Sequence, residues 1–233
     1  MQSDDVKRLY DADYAATYDE KFLFSPSTAA DAEFEVELVG RLLEGGPEWL
    51  DVACGTGYFL SRFPQARRVG SDLSPAMLEK ARRAAPGVPL FEHDFRRPRP
   101  EWDGRFGLVS CMWYAYSLVE TMNEVAQVID NLADWTSASG TCFLPVGDAR
   151  LISLCNLPYE VPRAAPGRVV ITGILWSFVE DGGEKVHAHL VTPQMEWLVE
   201  RFERRFRSVE VIRYPFKANG VDGRPAIIAR NKR

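Results

Sequence analysis

A glycine-rich turn with an acid just before it carries the clearest chemical signal in this sequence. The apolar run 49–53 leads into Cys-Gly-Thr-Gly at 54–57, and Asp51 lies within that run. Glycines between a strand and a helix let a ligand approach bare backbone and the N–H groups at the helix start. In an open α/β sheet, ligands bind in the crevice at the carboxyl ends of the strands. The stretch therefore predicts a ligand site at the end of the first strand.

Two acids indicate what kind of ligand this site takes. Asp51 suits a ligand with an ammonium group better than one with phosphates, and Asp72, at the end of the next predicted strand, can accept both hydroxyls of a ribose. A dinucleotide-binding loop begins in the same way, but its third glycine would fall at position 60, where the sequence has Leu60. A nicotinamide cofactor is therefore the weaker alternative.

The strands and helices that must position these acids alternate along the first half of the chain. Apolar residues switch repeatedly between the period of a strand and that of a helix. Strands joined by helices require right-handed crossovers, which predicts a mostly parallel sheet with helices on both faces. The predicted strands are 49–53, 69–72, 89–95, 106–113 and 140–146, and the predicted helices are 29–43, 120–135 and one that runs from Ser74-Pro75 to Pro86-Gly87.

The pattern changes after residue 147. The proline-containing stretch 148–167 predicts a long loop, and the runs 169–179 and 185–191 flank Asp-Gly-Gly at 181–183, which predicts an antiparallel β-hairpin. A helix from Thr192-Pro193, with Phe206 on its inner stripe, and strands 209–216 and 226–229 complete a seven-stranded sheet. We therefore expect a single domain, 1–233, with an N-terminal helical lid at 1–45 and an inserted loop and hairpin at 148–191 over the site.

Composition argues against several other classes of protein. The formal net charge of −5 gives no cationic surface for a nucleic acid. The four cysteines form no C-x-x-C pair, so neither a metal site nor a disulfide framework is expected. The N-terminus lacks the pattern of a signal peptide, and no apolar run approaches the length of a membrane span. We expect a cytoplasmic protein without a membrane partner.

The stretch Asp-Val-Ala-Cys-Gly-Thr-Gly at 51–57 resembles the first motif of the class I S-adenosylmethionine-dependent methyltransferases. The resemblance in element order covers most of the chain and implies an α/β, Rossmann-like methyltransferase fold with S-adenosylmethionine as cofactor. In such proteins the glycine loop lines the methionine part of the cofactor, and acids at the strand ends hold its amino group, ribose hydroxyls and adenine. The implied cofactor residues are Asp51, Ala53, Gly55, Asp72, Leu73, Asp94, Phe95 and Met112.

An N-terminal Tyr-Asp pair, Tyr18-Asp19, adds a weaker indication. Many methyltransferases that look similar have such a pair in a segment lying over the cofactor, which implies that Tyr18 donates its hydroxyl to the cofactor carboxylate. Tyr14, in the same segment, is a candidate for substrate binding. The alternative is an amphipathic helix that buries its tyrosines.

Aromatic residues and two histidines are the candidates for the acceptor's site. Trp113 and Tyr116, as substrate contacts, and Tyr114, as a catalytic candidate, follow the fourth strand, where similar methyltransferases hold the acceptor; the alternative is core packing. His187 and His189 alternate with apolar residues, which puts both on one face of a hairpin strand. Either one is a candidate general base for an acceptor that arrives protonated, and a half-solvated strand face is the alternative.

The glycine motif, the Ser-x-x-Met-Leu run at 74–78 and the late hairpin are similar to small-molecule methyltransferases of natural-product pathways, amino-sugar N-methyltransferases being the nearest. The segment 219–223 and the proline-rich loop have no match there. We predict methyl transfer from S-adenosylmethionine to a nitrogen or oxygen of a small molecule in secondary metabolism, with a homodimer as one expected state. The alternatives are a cofactor-binding partner subunit without transfer activity and a nicotinamide-dependent oxidoreductase.

Overall fold

The computed structural model describes residues 2–147, 149, 172–180, 185–215 and 223–233, and it contains two β-sheets. The predicted turn at 181–183, the unmatched segment 219–222 and the loop 150–167 lie outside the described residues. The strands are β1 (Trp49–Val52), β2 (Arg68–Asp72), β3 (Leu90–Glu92), β4 (Phe106–Cys111), β5 (Thr136–Pro145), β6 (Gly173–Val179), β7 (Val186–Pro193), β8 (Phe206–Arg213) and β9 (Pro225–Lys232).

The larger sheet has the order β3-β2-β1-β4-β5-β9-β8, and the smaller sheet is the antiparallel pair β6-β7. The first five strands run parallel, whereas β9 is antiparallel to both β5 and β8. The predicted mostly parallel seven-stranded sheet and the inserted antiparallel hairpin are therefore confirmed. The carboxyl ends of β1, β2 and β4 consequently lie side by side at one edge of the sheet.

The helices begin where the sequence supplies side-chain caps. Asp11, Ser74 and Thr121 each accept a hydrogen bond from a backbone N–H in the first turn of a helix. The helices are α1 (Ser3–Leu9), α2 (Ala12–Tyr18), α3 (Ala29–Leu42), α4 (Tyr58–Arg62), α5 (Pro75–Ala84), α6 (Met122–Trp135) and α7 (Met195–Glu203), and a π-helical turn, Asp19–Leu23, follows α2. Among the described residues, no helix combines the length and the apolar character that a membrane span requires.

Two apolar layers cover the sheet, one on each face. Alternate residues of a strand enter different layers: Val109 packs with α6 and α7, and Leu108 packs with α3, α4 and α5. The layers hold the predicted helix stripes, including Ile129 and Leu132 on one side and Leu38 on the other. Helices on both faces are therefore confirmed.

Several strand boundaries differ from the prediction. Phe206 was expected on the inner stripe of the last helix, but α7 ends at Glu203 and Phe206 is the buried first residue of β8. An apolar residue at this position fits both the helical and the strand period. Phe206 belongs to the strand because it pairs with Lys232 of β9. The third strand ends at Glu92, so Asp94 and Phe95 lie beyond it rather than within it.

Gly57 provides a test of how tightly the glycine loop packs. Its φ is +78°, and a Cβ there would lie 2.9 Å from Cα and Cβ of Ala81 in α5. Gly87 has a φ of +79° with no atom within 4 Å of an added Cβ, so it is a matched control. Both G57A and G87A suffer left-handed strain, but G57A should lose about 1–3 kcal/mol more unfolding free energy because it also overpacks.

Urea unfolding of the cofactor-free variants measures this difference. Equal losses in G57A and G87A would show that the loop and α5 do not pack as closely as the structure indicates.

Candidate functional site

The first cavity lies at the carboxyl ends of β1, β2 and β4, where the glycine loop follows β1. Of the cofactor residues expected from the sequence, all but Asp94 line it. They are Tyr18, Asp51, Ala53, Gly55, Asp72, Leu73, Phe95 and Met112. The N-terminal segment also supplies Val6, Tyr10 and Leu23 to the wall. The sheet topology thus brings together residues that are far apart in the sequence.

Hydrogen bonds to the carboxylate of Asp72 fix the backbone of the glycine loop. Ala53 and Gly55 have φ values of 55° and 54°, which turns the backbone sharply after β1. Asp72 Oδ2 accepts the backbone N–H of Gly55 at 2.8 Å, and Oδ1 accepts that of Ser74 at 2.8 Å. Burial raises the pKa of Asp72 to about 6, although these N–H donors favour the carboxylate. Each oxygen keeps a further lone pair for a ribose hydroxyl.

Asp51 presents a buried carboxylate oxygen to the same cavity. Its side chain is 1% exposed, and its Oδ1 accepts the Ser110 hydroxyl at 2.7 Å. Its Oδ2 is buried and has no hydrogen-bond partner among the residues that the structure describes, and burial raises the pKa of Asp51 to about 7. A buried acceptor without a donor costs free energy, which the ammonium group of a ligand would recover. The residues present therefore fit the amino group and the ribose of S-adenosylmethionine.

Asp94 lies outside this cavity. Its Oδ1 accepts the backbone N–H and Nε of Arg96, at 3.0 and 2.9 Å, and its Oδ2 accepts the Ser3 hydroxyl at 2.9 Å. Burial opposes ionisation, but these donors outweigh it and hold the pKa of Asp94 at about 2. The carboxylate joins α1 to the segment after β3, and its role toward adenine stays a prediction.

Polar contacts attach the N-terminal segment to the glycine loop. The Thr56 hydroxyl donates to Asp19 Oδ1 at 2.6 Å, and Lys80 Nζ lies 3.0 Å from Asp19 Oδ2. The Ser74 hydroxyl donates to the carbonyl of Tyr10 at 2.6 Å. Asp19 of the Tyr-Asp pair therefore contacts protein, and its neighbour Tyr18 faces the cavity.

A second cavity of about 270 Å³ adjoins the first. Tyr10, Tyr18, Trp113 and Leu118 line both cavities. The hairpin forms one wall of the second cavity, and the residue just before β9 contributes a guanidinium. The other lining residues are Phe22, Thr28, Tyr114, Ser117, Trp176, Phe178, His187, Leu190 and Arg224. The described part of the insert thus lies beside the cofactor crevice.

The segment after β4 is strained where it meets both cavities. Trp113 and Tyr114 have φ values of 53° and 59°, a conformation that costs non-glycine residues free energy and concentrates at functional sites. The indole N–H of Trp113 is buried, and no described part of the chain supplies it with a hydrogen-bond acceptor. This donor is available to a ligand between the two cavities.

Three residues expected at the acceptor's site lie elsewhere. Tyr116 is fully buried in the core, and its hydroxyl accepts the backbone N–H of Gly147 at 3.1 Å. Tyr14 lies behind the second cavity, where it contacts His187 rather than open space. His189 is exposed and lines neither cavity.

The expectation that His187 and His189 share one face is wrong. The pairing of β6 with β7 shifts between Trp176 and Phe178, and His189 has a φ of 60°. This bulge breaks the two-residue alternation on which the expectation rested. His187 is consequently 6% exposed and lines the second cavity, whereas His189 faces solvent.

Sequence reasoning missed a buried charged cluster around Arg224. Its guanidinium lies 4.4 Å from the ring centre of Trp113 and 4.8 Å from that of Tyr114, with Glu35 at 3.4 Å and Asp31 at 3.6 Å. Burial raises the pKa of Glu35 to about 7, although Arg224 favours its carboxylate. The available signal was a pair of acids four residues apart on a helix face that also carries Ala32 and Leu38.

Comparison with known proteins agrees with this geometry. Residues 50–140 match the family described as a methyltransferase domain. A dTDP-4-amino-2,3,4,6-tetradeoxy-D-glucose N,N-dimethyltransferase of Saccharopolyspora spinosa is 31% identical over 211 residues, which cover 88% of this chain and 76% of the relative. A trans-aconitate 2-methyltransferase of Acidovorax sp. is 38% identical over 87 residues, 34% of each chain.

A solved structure has the same fold. The S-adenosylmethionine-bound amino pentose methyltransferase CalS10 of Micromonospora echinaspora aligns with a TM-score of 0.57 at 20% identity, over 86% of this chain and 90% of that one. The fold and the first cavity together define a class I S-adenosylmethionine-dependent methyltransferase. The chain belongs to this family, and S-adenosylmethionine is its cofactor.

The affinity for S-adenosylmethionine should depend on pH through Asp51. Its ionised form attracts the cofactor's ammonium group, and its pKa in the free protein is about 7. Affinity should therefore fall as the pH drops below that value, by up to about tenfold per unit for one linked proton. Calorimetry between pH 8 and pH 5 measures this dependence.

D51N is the matched variant for this prediction. It should bind S-adenosylmethionine weakly, and its affinity should depend on pH only below about pH 6, where Asp72 becomes protonated. An affinity of the unmodified protein that stays constant over this range would contradict the role of Asp51.

Proposed function

We propose that this enzyme transfers the methyl group of S-adenosylmethionine to the nitrogen of a small acceptor held in the second cavity. The observation that carries the proposal is the shared wall of the two cavities, to which Tyr10, Tyr18 and Trp113 contribute. A cofactor in the first cavity would present its methyl group across this wall. An acceptor in the second cavity would then meet it without passing through solvent.

The cofactor supplies a methyl group already activated by the sulfonium, so the protein's task is alignment and exclusion of water. Aromatic rings of Tyr10, Tyr18 and Trp113 lie where the two ligands meet and can stabilise a cationic group by contact with their faces. The hairpin residues Trp176 and Phe178 close the other side.

Within this class of acceptors we propose a deoxyamino sugar linked to a nucleoside diphosphate. The relative that aligns over most of the chain acts on such a compound. Arg224 is the one guanidinium among the described residues that line the second cavity. Its charge would face the diphosphate, while Glu35 and Asp31 hold its position from behind.

The two alternatives from the sequence have less support. A cofactor-binding subunit without transfer activity has no use for a second cavity that opens onto the cofactor site. A nicotinamide-dependent oxidoreductase would need phosphate binding where Asp51 instead offers a buried carboxylate. An oxygen acceptor such as trans-aconitate is the remaining competitor, because relatives of that activity match a third of the chain.

An acceptor comparison tests the proposal directly. The enzyme should methylate a dTDP-linked amino sugar and should act far more weakly on the free amino sugar, because the diphosphate contact with Arg224 is lost. A charge-assisted hydrogen bond contributes about 1.5–3 kcal/mol, which corresponds to a roughly 10- to 100-fold rise in KM for the free sugar. Mass spectrometry of the products measures turnover. Preferential esterification of trans-aconitate would overturn the nitrogen acceptor.

The two histidines of β7 should differ in function. H187Q alters a group that lines the second cavity, and it should lose roughly 100-fold or more in kcat if the imidazole takes the acceptor's proton. H189N changes an exposed side chain on the same strand and should leave kcat within about twofold, since it touches neither cavity. Steady-state assays of both variants measure this difference. A larger loss of kcat in H189N than in H187Q would show that His189, and not His187, is the base.

A further inference from the structure

Four polar side chains meet where the hairpin packs against the N-terminal helices. His187 Nε2 lies 3.0 Å from Glu180 Oε1 and 2.9 Å from the hydroxyl of Tyr14. His187 Nδ1 lies 3.4 Å from the hydroxyl of Tyr10. The Tyr14 hydroxyl also donates to Glu180. Residues far apart in the sequence thus form one hydrogen-bonded group beside the second cavity.

The charge of Glu180 fixes the tautomer of this histidine. Burial raises the pKa of Glu180, but hydrogen bonds from Tyr14, His187 and Lys21 outweigh it and hold the value at about 2. The carboxylate is therefore ionised and can only accept hydrogen bonds. The hydrogen between it and His187 must then come from Nε2, which leaves Nδ1 with a lone pair directed to the Tyr10 hydroxyl.

The four side chains differ in how close they lie to the two cavities. Tyr10 lines both cavities and His187 lines the second, whereas Tyr14 and Glu180 line neither. Tyr10 therefore lies at the junction of the two cavities, His187 lies next to it along the second cavity, and Glu180 lies behind His187. Two lysines lie beside this group: Lys21 Nζ is 2.9 Å from Glu180 Oε2, and Lys185 Nζ is 5.1 Å from the ring centre of Tyr14 and 3.7 Å from Asp11 Oδ2.

We propose that Tyr10, His187 and Glu180 form a proton relay that removes the acceptor's proton. Tyr10 is the residue that contacts the acceptor, His187 is the base, and Glu180 is a positioning residue that holds the imidazole and stabilises its cationic form. This inference rests on the proposed function, because only an acceptor that arrives with a proton needs a base.

Deprotonation precedes methyl transfer, because an ammonium nitrogen has no lone pair with which to attack the methyl carbon. The ammonium proton passes to the oxygen of Tyr10 as the hydroxyl proton of Tyr10 passes to His187 Nδ1. The freed lone pair on nitrogen then forms the bond to the methyl carbon while the bond from that carbon to sulfur breaks and its electron pair stays on sulfur. Burial raises the pKa of Tyr10, so its hydroxyl hands a proton on rather than holding a negative charge. The imidazolium later releases its proton to solvent.

Conservative variants of each member test the relay. Y10F and H187Q should each lower kcat about 100-fold while the affinity for S-adenosylmethionine, measured by calorimetry, stays unchanged. H189N is the control, since it changes an exposed histidine of the same strand that lines neither cavity, and its kcat should stay within about twofold of the unmodified enzyme. Equal kcat in Y10F, H187Q and the unmodified enzyme would overturn the relay.

A spectroscopic readout separates a positioning role for Glu180 from a structural one. E180Q replaces a group that only accepts hydrogen bonds by an amide that can also donate to Nε2, so nitrogen-15 NMR should show the Nδ1-protonated tautomer of His187 gaining population while kcat falls. A lower kcat with the tautomer of His187 unchanged would assign Glu180 to packing and overturn its place in the relay.

A measurement without turnover keeps the relay and the proposed function distinguishable. Nitrogen-15 NMR of the three histidines, with H187Q used for assignment, should show His187 protonated on Nε2 in the free protein. Protonation on Nδ1 would overturn the relay. A protein that shows the Nε2 tautomer and binds S-adenosylmethionine, yet methylates no amine, would instead overturn the proposed function.

Discussion

The carboxylate of Asp72 holds the backbone on which both cavities depend. It accepts N–H groups from Gly55 in the glycine loop and from Ser74 at the start of α5. The loop turns through left-handed residues, which would relax without such a restraint. The Ser74 hydroxyl in turn donates to the carbonyl of Tyr10, so the same chain of contacts reaches a residue shared by both cavities. One buried acid therefore links the cofactor's position to that of the acceptor.

Polar contacts and a small apolar cluster attach the N-terminal segment that lines these cavities. In that cluster Tyr14 and Ala15 are buried together with Met77 of α5. Ion pairs such as Lys7 with Glu92 are partly exposed, and exposed pairs contribute only about 0–1 kcal/mol each. Segments with few buried apolar contacts open at a fraction of the free energy of global unfolding. The N-terminal segment is therefore held less firmly than the sheet, which would suit the exchange of a cofactor bound next to it.

Sequence patterns predicted the parts of this structure that depend on local periodicity. The sheet and the positions of Asp51 and Asp72 follow from strand and helix periods together with the rule that parallel strands end at one edge. Arg224 could not be predicted, because its partners on α3 lie far away in the sequence and meet it only in the folded chain. The prediction for His189 was wrong because a bulge interrupts the alternation of side chains between the two faces of β7. The residue types at this point of the strand do not predict a bulge.

The buried acids also explain how one site can treat the cofactor and its demethylated product differently. Asp51 and Asp72 have raised pKa values because burial disfavours their charges. A sulfonium cation in the first cavity would stabilise both carboxylates, and aromatic faces such as Tyr18 and Trp113 would add to its attraction. A neutral sulfur would lack this part of the attraction, while the contacts proposed for the amino group and the ribose would stay. The difference in charge would thus weaken the product's binding relative to the cofactor's without any change in the residues proposed to hold the common parts.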